Sequence, residues 1–229
     1  MRVVDDAEPL SGSAHAVDRE LRVDHVLVAV DDLAEAAGAL EDRYGLASLT
    51  GGRHPQWGTA NRIVPIGDTY LELVAVVDSD QAQTSAFGRW VASASPSIMS
   101  LLGWAVRTDA IDDVARRLHL EIEPGSRAAP DGRVLEWKLA GVQEAAIDPA
   151  RPFFIQWGVQ TPHPSHMQVT HRAGVVELAR IELRGGADRL AEWLGEHALP
   201  LTITHGPPEL SRIVLTVDGR EVALGAETG

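Results

Sequence analysis

The sequence predicts an α+β protein assembled from repeated βαβββ modules. An apolar strand running into an Asp-led amphipathic helix occurs three times, with Asp31, Asp109 and Asp188 spaced 78 and 79 residues apart. Each helix is followed by three strand-like runs punctuated by glycine and aspartate turns. A single sheet of this kind cannot cover its own hydrophobic face, so the modules must pack together into one compact body. The 229 residues, 45% hydrophobic and 23% charged, suffice for such a core.

The first module opens with the strand Arg22 to Val30, in which His25, Leu27 and Ala29 share one face and Asp24, Val26, Val28 and Val30 the other. Asp31 then leads a helix carrying Leu33, Ala36, Ala37 and Leu40 at helical spacing, ended by Tyr44-Gly45. Strands follow at 47–50, 61–66 and 70–77, with breaks at Gly51-Gly52 and Gly67-Asp68. A short packed helix is expected in 78–97, where Phe87, Trp90 and Val91 fall at helical spacing. In the second module the strand 101–107 precedes a helix with Ile111, Val114, Ala115 and Leu118, then strands at 121–123, 134–139 and 153–157. The third has a strand at 178–184, a helix with Leu190, Trp193 and Leu194, and strands at 201–204, 211–217 and 221–224, the last two joined by an Asp218-Gly219 hairpin. The resulting organisation is a lead-in at 1–20, paired modules at 21–160, a linker at 161–177 and a third, short module at 178–229. The linker histidines His163, His166 and His171 read as solvated rather than as a metal tract, since prolines separate the first two.

Composition removes several function classes. There is no cysteine, which excludes disulfides, thiolate metal sites and a cysteine nucleophile. The net charge of −13 repels phosphate backbones and anionic lipid, so neither nucleic acid nor membrane is an expected partner. Nineteen of the 20 basic residues are arginine, which suggests a GC-rich bacterial genome. The acidic start lacks the basic and apolar regions of a signal peptide, so a cytoplasmic location is expected. No HExxH, GxSxG, P-loop or GxGxxG pattern occurs, and no nucleotide or flavin cofactor is expected.

Three polar residues interrupt apolar strands at matched places: His25, Glu72 and Gln156. A buried carboxylate costs several kcal/mol unless a cation, metal or hydrogen-bond donors compensate it. An imidazole, a carboxylate and an amide form an N/O donor set suited to one divalent ion such as Zn, Mn, Fe, Co or Ni, and equally form a hydrogen-bonded core cluster. The loop from Gly51 to Asn61 concentrates Arg53, His54, Trp57 and Asn61, with glycines that permit close backbone approach. Arg127, Arg133, Trp137 and Trp157 are expected to line the same mouth.

The segments Val23-Asp24-His25-Val26, Gly51 to Asn61 and Tyr70 to Val76 resemble the glyoxalase-like domain family of the vicinal oxygen chelate superfamily, with support from Leu135-Glu136-Trp137 and the strand 152–157. The resemblance implies paired βαβββ modules forming a cup, with a divalent metal on first- and last-strand residues. Carried over by position, His25, Glu72 and Gln156 match ligand places, whereas Gly103 stands where a second histidine is wanted. In the third module Glu182 aligns with His25 and Ala223 with Glu72, so that module reads as structural. Implied further is metal-assisted lyase or isomerase chemistry on a small oxygenated substrate, with Glu72 or His54 moving the proton. A non-catalytic protein that sequesters a small molecule in the same cup is the alternative. An extradiol-type dioxygenase ranks below both, because the strand positions supply one histidine rather than two. A homodimer is left open.

Overall fold

The computed structural model describes residues 21–94, 99–128 and 132–225, so the expected lead-in at 1–20 lies outside the described residues. The chain runs β1 (Arg22–Ala29), α1 (Leu33–Tyr44), β2 (Leu49–His54), β3 (Thr59–Ile66), β4 (Thr69–Val76), α2 (Ser79–Ala82), α3 (Ala86–Ser93), β5 (Ser100–Arg107), α4 (Ile111–Leu118), β6 (Ile122–Ala128), β7 (Val134–Ala140), α5 (Val142–Ile147), β8 (Phe153–Trp157), β9 (Val176–Arg184), α6 (Ala187–Leu194), β10 (Leu201–Thr204), β11 (Glu209–Val217) and β12 (Arg220–Gly225).

The first two modules share one eight-stranded sheet of order β2-β3-β4-β1-β5-β8-β7-β6. Their first strands, β1 and β5, pair antiparallel at the centre, and each lies parallel to the last strand of its own module, β4 or β8. The two halves are therefore related by an approximate twofold between β1 and β5. The edges of the sheet curl until they meet: Arg127 on β6 donates from Nη1 to the Gly51 carbonyl of β2 at 3.1 Å, and Gln56 Nε2 donates to the Ser126 carbonyl at 3.0 Å. This makes the expected cup.

Helix α1 is capped by Asp32 rather than Asp31, its carboxylate accepting from the backbone N–H groups of Ala34 and Glu35 at 2.7 and 2.8 Å. Gly45 ends it in the left-handed region at φ 69°. Asp109 likewise lies outside its helix, where Ala110 is the cap, while Asp188 sits in the first turn of α6. Gly51-Gly52 falls within β2 rather than breaking it; the pairing with β3 shifts register between Thr50 and Arg53, and the turn proper is the 3-10 segment Pro55–Trp57.

Two apolar cores flank the sheet. On the concave side Leu27, Val74, Phe87, Trp90, Trp137 and Phe153 pack together, with α3 as the floor. On the convex side α1 and α4 pack with the third module through Leu71, Phe154, Ile181, Trp193 and Leu215. Trp193 anchors that contact, donating from Nε1 to the Pro152 carbonyl at 2.9 Å while Arg117 bonds the Glu192 and Trp193 carbonyls, both at 2.8 Å. The third module has the expected element order but different wiring. Its sheet runs β10-β9-β11-β12, so β9 lies parallel to the strand right after its helix and not to the last strand. Among the described residues no helix is long and apolar enough to cross a membrane.

Candidate functional site

Strand β1 supplies the centre of the site. His25 points into the cup, stacked on Tyr70 at 4.8 Å between ring centroids and edge-on to Phe153 at 5.5 Å. Its Nε2 lies 3.5 Å from Glu72 Oε2 on β4, so the two residues meet as expected. The other Glu72 oxygen accepts a 2.7 Å bond from Asn61 Nδ2 on β3, and Asn61 Oδ1 in turn accepts from the Gly52 backbone N–H at 2.7 Å. A Cβ added at Gly51 would fall 2.0 Å from Asn61 Oδ1, so close approach requires this glycine.

Asp24 is the residue that strict strand alternation misplaced. The β1–β5 pairing shifts register between Val23 and His25, and the Asp24 carboxylate, fully buried, lies beside His25. One oxygen is 2.6 Å from His25 Nδ1; the other is 2.9 Å from both His163 Nε2 and Trp157 Nε1. A carboxylate can only accept, so both histidines donate from these nitrogens. Burial alone would raise the pKa of Asp24, but the bonds from His163 and His25 outweigh it and hold the carboxyl far below its usual range. His163 Nδ1 lies 2.7 Å from Ser165 Oγ, accepting on the side opposite its bond to Asp24. The linker is therefore not a solvated tether. His163 is buried in the site, His171 bridges Ala47 N at 3.0 Å and the Pro65 carbonyl at 2.7 Å, and only His166 of the three is exposed.

His54, at the end of β2, is buried against Trp57 and Trp137, with Nδ1 3.1 Å from Thr59 Oγ1. Burial lowers its pKa to about 4, with Glu72 opposing and Arg127 adding to the shift, so the ring is neutral at neutral pH. Burial, reinforced by Asp24 and Glu72, raises Tyr70 well above the ordinary phenol range. These groups border a cavity of about 30 Å³, which Trp57, Asn61, Arg127, Trp137 and Trp157 also line. Of the residues expected at the mouth, Arg53 and Arg133 are absent from this lining; both are exposed, Arg53 on β2 and Arg133 just before β7.

Gln156 does not join the cup. Phe153, Ile155 and Trp157 alternate into it, and Gln156 faces the other way, its Oε1 accepting from Ile111 N at 3.2 Å. Helix α4 begins at Ala110, which has no side-chain acceptor, so Gln156 serves as its cap from a neighbouring strand. Register identifies the true counterpart of Glu72. Glu72 pairs with Leu27 and Phe153 with Ala105, and the 78-residue offset that takes His25 to Gly103 takes Leu27 to Ala105. The second module thus offers glycine and phenylalanine where the first offers histidine and glutamate. Trp90 fills the vacated space: a Cβ at Gly103 would lie 2.4 Å from its ring.

This donor set does not fit the divalent metal that the resemblance implies. His25 Nε2 and Glu72 Oε2 are free to ligate, but Glu72 Oε1 and His25 Nδ1 are committed to protein partners and the facing module contributes no donor. Among the described residues no group of three His, Cys, Asp or Glu side chains is placed to hold a metal ion.

Paired βαβββ modules closing around a polar cluster in an aromatic-walled cup define a glyoxalase-like protein. The profile of the glyoxalase-like domain matches residues 23–198, and the chain belongs to that family. Among solved structures it is similar to a hypothetical protein from Staphylococcus aureus, at 16% identity over 86% of this chain and 91% of that one, with a TM-score of 0.65. It also matches methylmalonyl-CoA epimerases from Mycobacterium tuberculosis (17% identity, 59% of this chain, 85% of that one, TM-score 0.41) and Streptomyces coelicolor (19%, 59%, 95%, 0.42). A search of curated proteins gives no match.

Proposed function

We propose that the cup is the active site of a small-molecule isomerase or lyase that moves a proton on a carbon next to a carbonyl, using His25 and Glu72 and no divalent metal. The observation that carries this is the His25 Nε2 to Glu72 Oε2 approach of 3.5 Å at the cavity, with each group fixed from behind, His25 by Asp24 and Glu72 by Asn61. Such backing holds both groups in one orientation, the condition for efficient proton transfer. In this reading Glu72 Oε2 takes the substrate proton and passes it to the unprotonated His25 Nε2, 3.5 Å away, which delivers it to the adjacent atom. Neutral His54 offers a hydrogen bond without adding charge. The aromatic walls exclude water and strengthen each electrostatic interaction inside.

Deuterium exchange tests it. Chelator-treated protein is incubated in D₂O with small 2-hydroxy- and 2-oxocarbonyl compounds, and loss of the α-proton signal is followed by NMR. Wild type should exchange at least one compound, and Glu72→Gln, which removes charge at nearly constant volume, should slow that exchange about 100-fold or more. The second reading, a binding protein, is favoured by the amount of aromatic wall. Saturable, chelator-insensitive quenching of tryptophan fluorescence without exchange of any compound would select it.

A further inference from the structure

Arg127 is an anomaly in a cavity already supplied with carboxylates. The residue is only 7% exposed, and its one hydrogen bond runs from Nη1 to the Gly51 carbonyl. No carboxylate lies within ion-pair distance of it among the described residues: Asp24 is occupied by His25, His163 and Trp157, and Glu72 by Asn61 and His25. A guanidinium carries five N–H donors; Glu72 offsets the Arg127 charge through space but accepts none of them, so most of these donors have no protein acceptor among the described residues. Among the described residues the one buried side-chain atom without a hydrogen bond is Arg151 Nε, which lies 3.2 Å from Asp148 Oδ2, so the unbonded Arg127 nitrogens are not sealed within protein. Arg127 lines the cavity, and the chain makes room for it: a Cβ at Gly52 would stand 2.9 Å from Nη1.

We infer that Arg127 anchors a carboxylate borne by the ligand, so that the cup takes small organic acids. A planar guanidinium fork matches the two oxygens of a carboxylate with two parallel N–H···O bonds. The inference rests on the cavity being the ligand site proposed above, and holds whether the protein catalyses or only binds. Arg127 belongs to the second module and His25 and Glu72 to the first, so an anchored acid would present its α-carbon across the twofold to the proton-moving pair.

The test uses matched acid and amide pairs, namely pyruvate with pyruvamide, lactate with lactamide and mandelate with mandelamide, titrated against the full chain by tryptophan fluorescence. At least one acid should bind ten-fold or more tightly than its amide. Arg127→Met, which keeps the apolar stem, should abolish that preference while the amide still binds, the variant's thermal midpoint falling by a few degrees with the lost bond to Gly51, and Arg127→Lys should restore part of the preference. Equal affinity for acid and amide, a preference that survives Arg127→Met, or inorganic phosphate displacing every acid would overturn the assignment. Acid selectivity with no deuterium exchange would leave the anchor standing and sink only the catalytic reading.

Discussion

Asp24→Ala should destabilise the protein by about 4 kcal/mol, lowering the thermal midpoint by roughly 10 °C, the largest single-residue effect expected outside the apolar cores. The carboxylate is completely buried and receives N–H groups from His25, His163 and Trp157, which come from three separate segments of the chain. Alanine leaves all three donors without an acceptor in a space water does not readily reach. Asp24→Asn retains one acceptor oxygen but turns an NH₂ toward a donor, and should cost about half as much. The sign of the pH dependence follows from the lowered pKa of Asp24. Asp24 contributes full stability above its unfolded value of 3.8, and the contribution is lost as pH falls below that value toward the lower folded one. Urea melts between pH 2 and 5 should show an acid limb in wild type that is shallower in both variants.

His54 should govern stability at milder pH. The unfolded chain protonates this residue near pH 6.5, whereas the folded protein does so only near pH 4. Between those values the unfolded state binds the extra proton, so the His54 contribution is complete above pH 6.5, declines through the interval and levels off below 4. The total is about 3 kcal/mol, falling at roughly 1.4 kcal/mol per pH unit in mid-range. His54→Phe keeps a ring against Trp57 and Trp137 but cannot titrate. It should start about 1 kcal/mol below wild type at pH 7, because Thr59 Oγ1 loses its partner, and lack this part of the slope. Denaturant midpoints for both proteins at half-unit steps from pH 4 to 7.5 measure the difference directly.

What the sequence made legible was whatever depends on periodicity. The Asp-led helices with their flanking apolar runs located all three modules, and the matched polar interruptions on β1 and β4 brought His25 and Glu72 together. What it hid depends on events that periodicity does not record. A single register shift in β1 placed Asp24 beside His25, and no local composition signals such a bulge. In β8 every residue but one is apolar and both faces are covered, so alternation could not say which way Gln156 points. The need at the other end of that residue, a helix starting at Ala110 without an acceptor, became visible only in three dimensions. His163 was misread because flanking prolines suggest a tether. Here they stiffen a turn that delivers an imidazole to a carboxylate 139 residues earlier in the chain. The third module shows the same limit at a larger scale, since an identical order of elements is wired with a different parallel neighbour.

The central claim is that one module keeps a proton-handling pair while its twin has given up its donors to Gly103, Phe153 and Trp90, leaving a site that works without a metal. Titrating chelator-treated, ¹⁵N-histidine-labelled protein with Zn²⁺ and Mn²⁺ while recording long-range ¹H–¹⁵N imidazole correlations tests this most directly. The account predicts a protonated, hydrogen-bonded Nδ1 on His25, a protonated Nε2 on His163, and no stoichiometric change in either ring or in the thermal midpoint on adding metal. Saturation at one equivalent, with the His25 Nε2 resonance shifted or broadened and the shift lost in Glu72→Gln, would contradict it.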